Sequence, residues 1–237
     1  MSGWQFFLFE VFPYVALTSF VVGLVWRYRY DKFGWTSRSS QWYESRTLRW
    51  ASPMFHFGIL GVLAGHFIGL VIPATWTESI GVSEDAYHLV AMVAGGIFGV
   101  MTVVGLVALV SRRRLTRSVF RATTVNDKVM YLVLGAVILL GMVNTIGVQL
   151  LGGGFDYRDT VAVWFRSIFW FRPEGDELAL APWSFQAHAV MAFLLVAIWP
   201  FTRLVHVLSA PVGYLVRPYV VYRTRDPQPQ PSGYASR

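Results

Sequence analysis

Five runs of apolar residues alternate with polar connections along the chain: Trp4–Trp26, Met54–Ile72, His88–Val110, Val129–Leu151 and Trp183–Leu208. About twenty such residues, rising 1.5 Å each, cross the roughly 30 Å hydrocarbon core of a bilayer. The pattern predicts an all-α integral membrane protein with five transmembrane helices in a single domain over residues 1–225. The remaining stretch, DPQPQPSGYASR over 226–237, is polar and proline-rich and has no means of burying a core, so a disordered tail is expected there.

Breakers punctuate the runs. The first lacks the basic leader and small-residue cleavage site of a secretory signal and is too long for one, which makes it a retained span. Pro13 predicts a kink in it or an end to its first turns. Ser52-Pro53 reads as the cap and first turn of the second span, and Pro73 as its stop. Gly152-Gly153-Gly154 should break the fourth. The long connection that follows contains VAVWFRSIFWF at Val161–Phe171, apolar and aromatic enough to lie at the interface as a short helix and to cover a site.

Charge orients the spans. Basic residues crowd the connection after the first (Arg27, Arg29, Lys32, Arg38, Arg46, Arg49), the one after the third (Arg112, Arg113, Arg114, Arg117, Arg121, Lys128) and the tail (Arg217, Arg223, Arg225, Arg237). The connection after the second carries only Glu78, Glu84 and Asp85, and that after the fourth has five acids against three arginines. The positive-inside rule then puts the N-terminus outside and the C-terminus in the cytoplasm. With 55% hydrophobic and only 14% charged residues, the net charge of +7 reads as topology signal and docking surface, not as a nucleic-acid interface. The absence of cysteine excludes disulfides, thiolate metal sites, cysteine-bound iron–sulfur clusters and covalent haem attachment. Any metal must be held by histidine or oxygen.

Four of the five histidines fall in two spans, His56 and His66 in the second, His188 and His206 in the fifth. An ionisable residue inside a membrane span is a functional hypothesis by default. The two spans are antiparallel, so topology pairs His56 with His206 toward the cytoplasm and His66 with His188 toward the outside. Histidines facing each other without thiolates or clustered carboxylates suit axial ligation of a haem iron from both sides. The spacing is uneven: on regular helices the ten residues between His56 and His66 rise about 15 Å, and the 18 between His188 and His206 about 27 Å. Tilt or a kink near Pro200 has to absorb the difference. A stripe of Gly58, Gly61, Gly65 and Gly69 predicts close packing against another helix, such as the one bearing Gly95 and Gly99. A proton or metal-ion transporter and a cofactor-free anchor stay open as competing readings, although no Asp or Glu lies deep in a span and Glu10 is near the outer end of the first.

Across nearly the whole chain the sequence resembles the gamma subunit of membrane-bound respiratory nitrate reductase. The matching residues are SSQ at Ser39–Gln41, FHFGILGVLAGHFIGL at Phe55–Leu70, AMVAGG at Ala91–Gly96, RATT at Arg121–Thr124, FTRLVH at Phe201–His206 and SAP at Ser209–Pro211. The resemblance implies a dihaem cytochrome b in the bacterial inner membrane. Its two b haems would be ligated by His56 with His206 and by His66 with His188, and quinol (menaquinol or ubiquinol) would be oxidised near the outer haem. It further implies an iron–sulfur (beta) partner and a molybdenum-containing catalytic (alpha) partner on the cytoplasmic side. A related cytochrome b anchor feeding another reductase is the neighbouring alternative. Where the family can carry a lysine at the outer start of the third span, this chain has Tyr87 and His88. A histidine can accept a quinol proton where a lysine can only donate. Gly65, beside His66, leaves room for a quinone ring, and Arg203, one turn before His206, suits a haem propionate.

Overall fold

The computed structural model describes residues 1–35, 39–209 and 216. The expected tail at 226–237 lies outside the described residues, as do Arg38 and the four arginines of the C-terminal segment. The described chain is helical, without strands, and five helices are long and apolar enough to cross a membrane: Gly3–Tyr30, Arg46–Val71, Glu84–Leu115, Val125–Leu151 and Trp183–Phe201. Many of their large apolar side chains, including Val22, Leu60, Val107 and Leu132, are exposed, as a lipid-covered surface requires. Span two packs along span three, span three borders span four, and span five lies between spans four and one. Spans two and five do not pack along each other.

Helix two begins at Arg46, not at the expected Ser52-Pro53 start, so Pro53 lies inside it. The cause is tertiary: Glu44 accepts the Thr47 N–H at 2.7 Å and pairs with Arg112 of span three, which caps a turn that the local sequence does not announce. Pro73 and the glycines stop spans two and four as expected, with Gly153 and Gly154 at φ +84° and +89°.

Pro13 does not end span one, which continues from Gly3 to Tyr30. Without a proline N–H, the Phe9 carbonyl loses its donor, the preceding turn widens to a π-turn over Phe7–Val11, and the indole N–H of Trp164 donates to Phe9 O at 2.8 Å. Trp164 belongs to the short helix Val161–Phe169, whose buried face joins Phe9, Ala16, Leu178 and Phe193 in one apolar cluster. That helix and Arg158, in the turn before it, also close the end of span two, where Arg166 donates to Leu70 O at 3.1 Å and Arg158 to Ile72 O at 3.4 Å.

Span five departs from the simple helix its hydropathy predicts. Pro200 has no N–H for the Val196 carbonyl, which is taken by Trp199 N–H, and the helix tightens, ends at Phe201, and restarts as a 3₁₀ segment over Arg203–Ser209. The freed carbonyls find donors on neighbours. Ser19 Oγ donates to Ala197 O at 2.9 Å, Arg27 to Pro200 O, and Asn126 Nδ2 to Phe201 O at 2.8 Å. Gly23 permits this approach, since a Cβ there would stand 2.8 Å from the Pro200 Cβ.

The glycine stripe packs on span three, the helix bearing Gly95 and Gly99, as expected. Gly58 lies against Thr102, Gly61 against the Phe98 ring, and Gly105 against Phe55. Gly95 and Gly99 instead face Thr145 and Met142 of span four. A Cβ on Gly65 would meet nothing within 4 Å.

Candidate functional site

Two histidine pairs bridge the interval between spans two and five. The His56 and His206 rings have centroids 6.1 Å apart with planes at 73°, and the His66 and His188 rings 5.8 Å apart at 32°. The break after Pro200 is what allows both meetings despite the unequal spacing in sequence, because His206 leaves a 3₁₀ segment and not a continued α-helix.

Each ring is tethered in the same way. Nδ1 of His56 lies 2.7 Å from Ser52 O, Nδ1 of His66 2.8 Å from Val62 O, Nδ1 of His188 3.0 Å from Val137 O, and Nδ1 of His206 2.6 Å from Arg203 O. A carbonyl can only accept, so each Nδ1 is the donor in its contact, and Nε2 is the nitrogen left to bind a metal. Neutral imidazoles with Nδ1–H on a backbone carbonyl are the form in which histidine binds a metal. Gly141 gives the His188 ring its place, since a Cβ there would come within 3.2 Å of it.

At the acidic end of the bundle, Tyr87 and Tyr157 share a hydrogen bond of 2.9 Å directly over Gly69, one turn beyond His66. Burial, followed by the bond to Tyr87, holds the Tyr157 hydroxyl well above its ordinary ionisation range. Arg158, only 2% exposed, lies 4.0 Å over the Tyr87 ring and bonds Glu84 at 3.1 Å and Thr77 Oγ1 at 3.1 Å. His88 is half-buried, with Nε2 3.4 Å from Glu84 Oε1 and its ring against Tyr157. One donor atom each from Glu84, His88 and Asp156 lies within 4.8 Å of the other two. Tyr157 and Arg158 were invisible as site residues in the sequence; the only signal was polar side chains beside an aromatic helix in an otherwise acidic connection.

At the basic end the arginines have protein partners. Arg112 is bound by Glu44, Ser40 Oγ and Ser40 O. Arg113 reaches Tyr131 Oη at 2.9 Å and Thr123 Oγ1 at 3.2 Å. Arg203 forms a two-pronged pair with Asp127, Nε to Oδ1 and Nη2 to Oδ2 both at 2.8 Å. The guanidinium expected to suit a propionate is thus engaged by a carboxylate that local sequence did not single out.

The sequence model of the nitrate reductase gamma subunit family matches residues 5–225. Among curated proteins, the chain is 41% identical to the nitrate reductase gamma chain of Bacillus subtilis, over 92% of this chain and 98% of that one. It is 34% identical to the respiratory nitrate reductase 2 gamma chain of Escherichia coli, over 92% and 96%. It is also 58% identical to the nitrate reductase-like protein NarX of Mycobacterium tuberculosis over 91% of this chain, which spans only 33% of that longer protein.

Proposed function

The chain belongs to the nitrate reductase gamma subunit family, and from that premise we propose that it is the membrane cytochrome b of a quinol-oxidising nitrate reductase. One observation carries the reading: two cross-span histidine pairs, each ring with Nδ1 on a backbone carbonyl, which leaves Nε2 as the nitrogen open to a metal. The donor set fits haem iron. The rings of each pair stand with centroids 6.1 and 5.8 Å apart, a separation at which one nitrogen from each could be bound by a single iron. Span packing agrees, because spans two and five approach through these rings and not through their backbones. His56 and His206 would hold one b haem and His66 and His188 the other; bound there, the two haems supply one-electron carriers at two depths.

The substrate is a quinol, menaquinol or ubiquinol, taken up at the acidic end, which the charge pattern puts outside. Its oxidation to quinone releases two electrons and two protons. Gly65, whose missing side chain leaves open space next to His66, admits the ring. His88 accepts a proton and hands it to Glu84, 3.4 Å away, at the outer surface. The Tyr157 hydroxyl, held well above its ordinary ionisation range by burial and by its bond to Tyr87, borders the site without taking part as a base.

The basic connections face the cytoplasm and dock an iron–sulfur (beta) subunit, which passes electrons to a molybdenum-containing catalytic (alpha) subunit. Nitrate is reduced there and not in this chain. The location is the bacterial inner (plasma) membrane. The test is a dithionite-reduced minus oxidised spectrum of the purified complex with pyridine haemochrome quantification. Two low-spin b haems per chain are expected; a folded preparation without haem would overturn the reading in favour of a transporter or anchor.

A further inference from the structure

The four imidazoles share one tether but not one support. His56 and His66 bond carbonyls four residues back in their own regular helix, and His188 bonds Val137 of the neighbouring span four. His206 bonds the carbonyl of Arg203, three residues back in a 3₁₀ segment cut off from span five by the break after Pro200. The direction of that carbonyl is set by whatever holds Arg203. Its side chain is held by the two-pronged pair with Asp127, and Asp127 is fixed in turn, 2% exposed, in the first turn of span four. There its Oδ2 also accepts the Thr124 N–H at 3.0 Å, and the adjacent Asn126 donates to Phe201 O.

We propose that the Asp127–Arg203 pair is the positioning device of His206: the start of span four grips the segment beyond Pro200 at Phe201 and Arg203, and the gripped Arg203 carbonyl aims the His206 ring at His56. Asp127 and Arg203 are therefore positioning residues for the basic-end haem site only. The inference rests on the reading that His56 and His206 hold a haem. Outer partners that orient a metal-binding histidine alter metal affinity by roughly 10- to 100-fold when removed. A planar fork on a carboxylate fixes orientation where a point charge does not, so lysine should replace Arg203 only in part.

The test uses the membrane-embedded complex and reads the ligation state of each haem separately. A six-coordinate iron with two histidines has no position for carbon monoxide, and one that has lost a histidine does. Arg203→Gln and Asp127→Asn are expected to raise carbon monoxide-reactive haem from none to one of the two per chain, or to lose that haem. The low-spin paramagnetic resonance signal and midpoint potential of the basic-end haem should shift while those of the other haem stay put. Arg203→Lys should give an intermediate fraction. Thr124→Ala removes the hydroxyl that accepts the Asp127 N–H but leaves the carboxylate in place, and should leave both haems unchanged. If Asp127→Asn does not accumulate, Arg203→Lys and Asn126→Ala carry the same test with smaller shifts. Two low-spin, carbon monoxide-inert haems with unshifted potentials in the Arg203 variants would overturn the proposal, and so would equal disturbance of both haems. His206→Ala separates the two levels. If it opens one haem while Arg203→Gln does not, only the positioning role fails; if it leaves two six-coordinate haems, the haem reading of His206 fails with it.

Discussion

The His66–His188 and His56–His206 pairs offer the same donors at nearly the same separation, yet the fold builds them by opposite means. At the acidic end both histidines ride regular helices, and the ring of His188 is settled by packing: Gly141 beneath it and the Val137 carbonyl beside it. At the basic end one histidine stands on a short segment that follows a broken helix, and its place depends on ions and side-chain hydrogen bonds from spans one and four. Packing makes a site that tolerates the loss of a charge. Side-chain clamps make one that does not.

The comparison can be broken most severely by removing a ligand. Replacing His66 or His188 with alanine should reduce haem from two to one per chain by pyridine haemochrome and abolish quinol-linked electron transfer, because the end proposed to receive quinol is disabled; retained quinol oxidation in either variant would sink the assignment. His88→Ala should slow quinol turnover with both haems present. Positioned proton acceptors contribute typically 10²–10⁴-fold, and with Glu84 still adjacent a loss of about 10² is expected in steady-state quinol oxidation. An unchanged rate would make His88 an ordinary boundary residue.

Smaller changes should separate the two ends by stability. Gly23→Val forces a side chain onto Pro200 and should cost about 1–3 kcal/mol, seen as earlier thermal loss of the basic-end haem band. Gly65→Ala meets open space and should leave thermal stability unchanged while hindering quinol access. The ends should also respond to opposite extremes of pH. Burial raises the Glu44 carboxyl, but the Thr47 N–H and the Arg112 guanidinium outweigh it and hold the group below its ordinary 4.5. Its contribution is present above that value and is lost as the pH falls through the folded one. Tyr157 is shifted upward from 10.0, so its contribution is full below pH 10 and fades as the pH rises further, when the unfolded chain ionises first. Acid should therefore loosen the Arg112 anchor first and alkali the Tyr87–Tyr157 corner, a difference that Glu44→Gln and Tyr157→Phe should each remove in pH-dependent melting.

Much of this was legible in the sequence because it depends on period and sign. Apolar run length marks the spans, Pro73 and Gly152–Gly154 mark two ends, and antiparallel order brings His56 to His206 and His66 to His188. What stayed hidden depends on partners distant in the chain. Glu44 with Arg112 moves the start of span two, Arg158 with Glu84 builds the acidic corner, and Asp127 with Arg203 holds the last segment. Each joins residues more than sixty positions apart, and neither member looks unusual in its own window. The break in span five was half visible: Pro200 announces a missing donor, but not the donors from spans one and four that make a full break stable.

Span two has one more consequence. Both of its histidines stand on a single helix running from Arg46 to His66 without interruption, ten residues apart. That helix serves as a ruler, while the facing segment bends to meet it. One residue inserted between Phe57 and Gly65 would turn everything on one side of it by about 100° and carry one histidine away from its partner. Extra residues in the connection from Gly152 to Pro182 lengthen a surface excursion and leave the ruler untouched. Length variation compatible with this architecture should thus collect in the connections and be shut out of the interval from His56 to His66, which a scan of single-residue insertions scored by haem content would display directly.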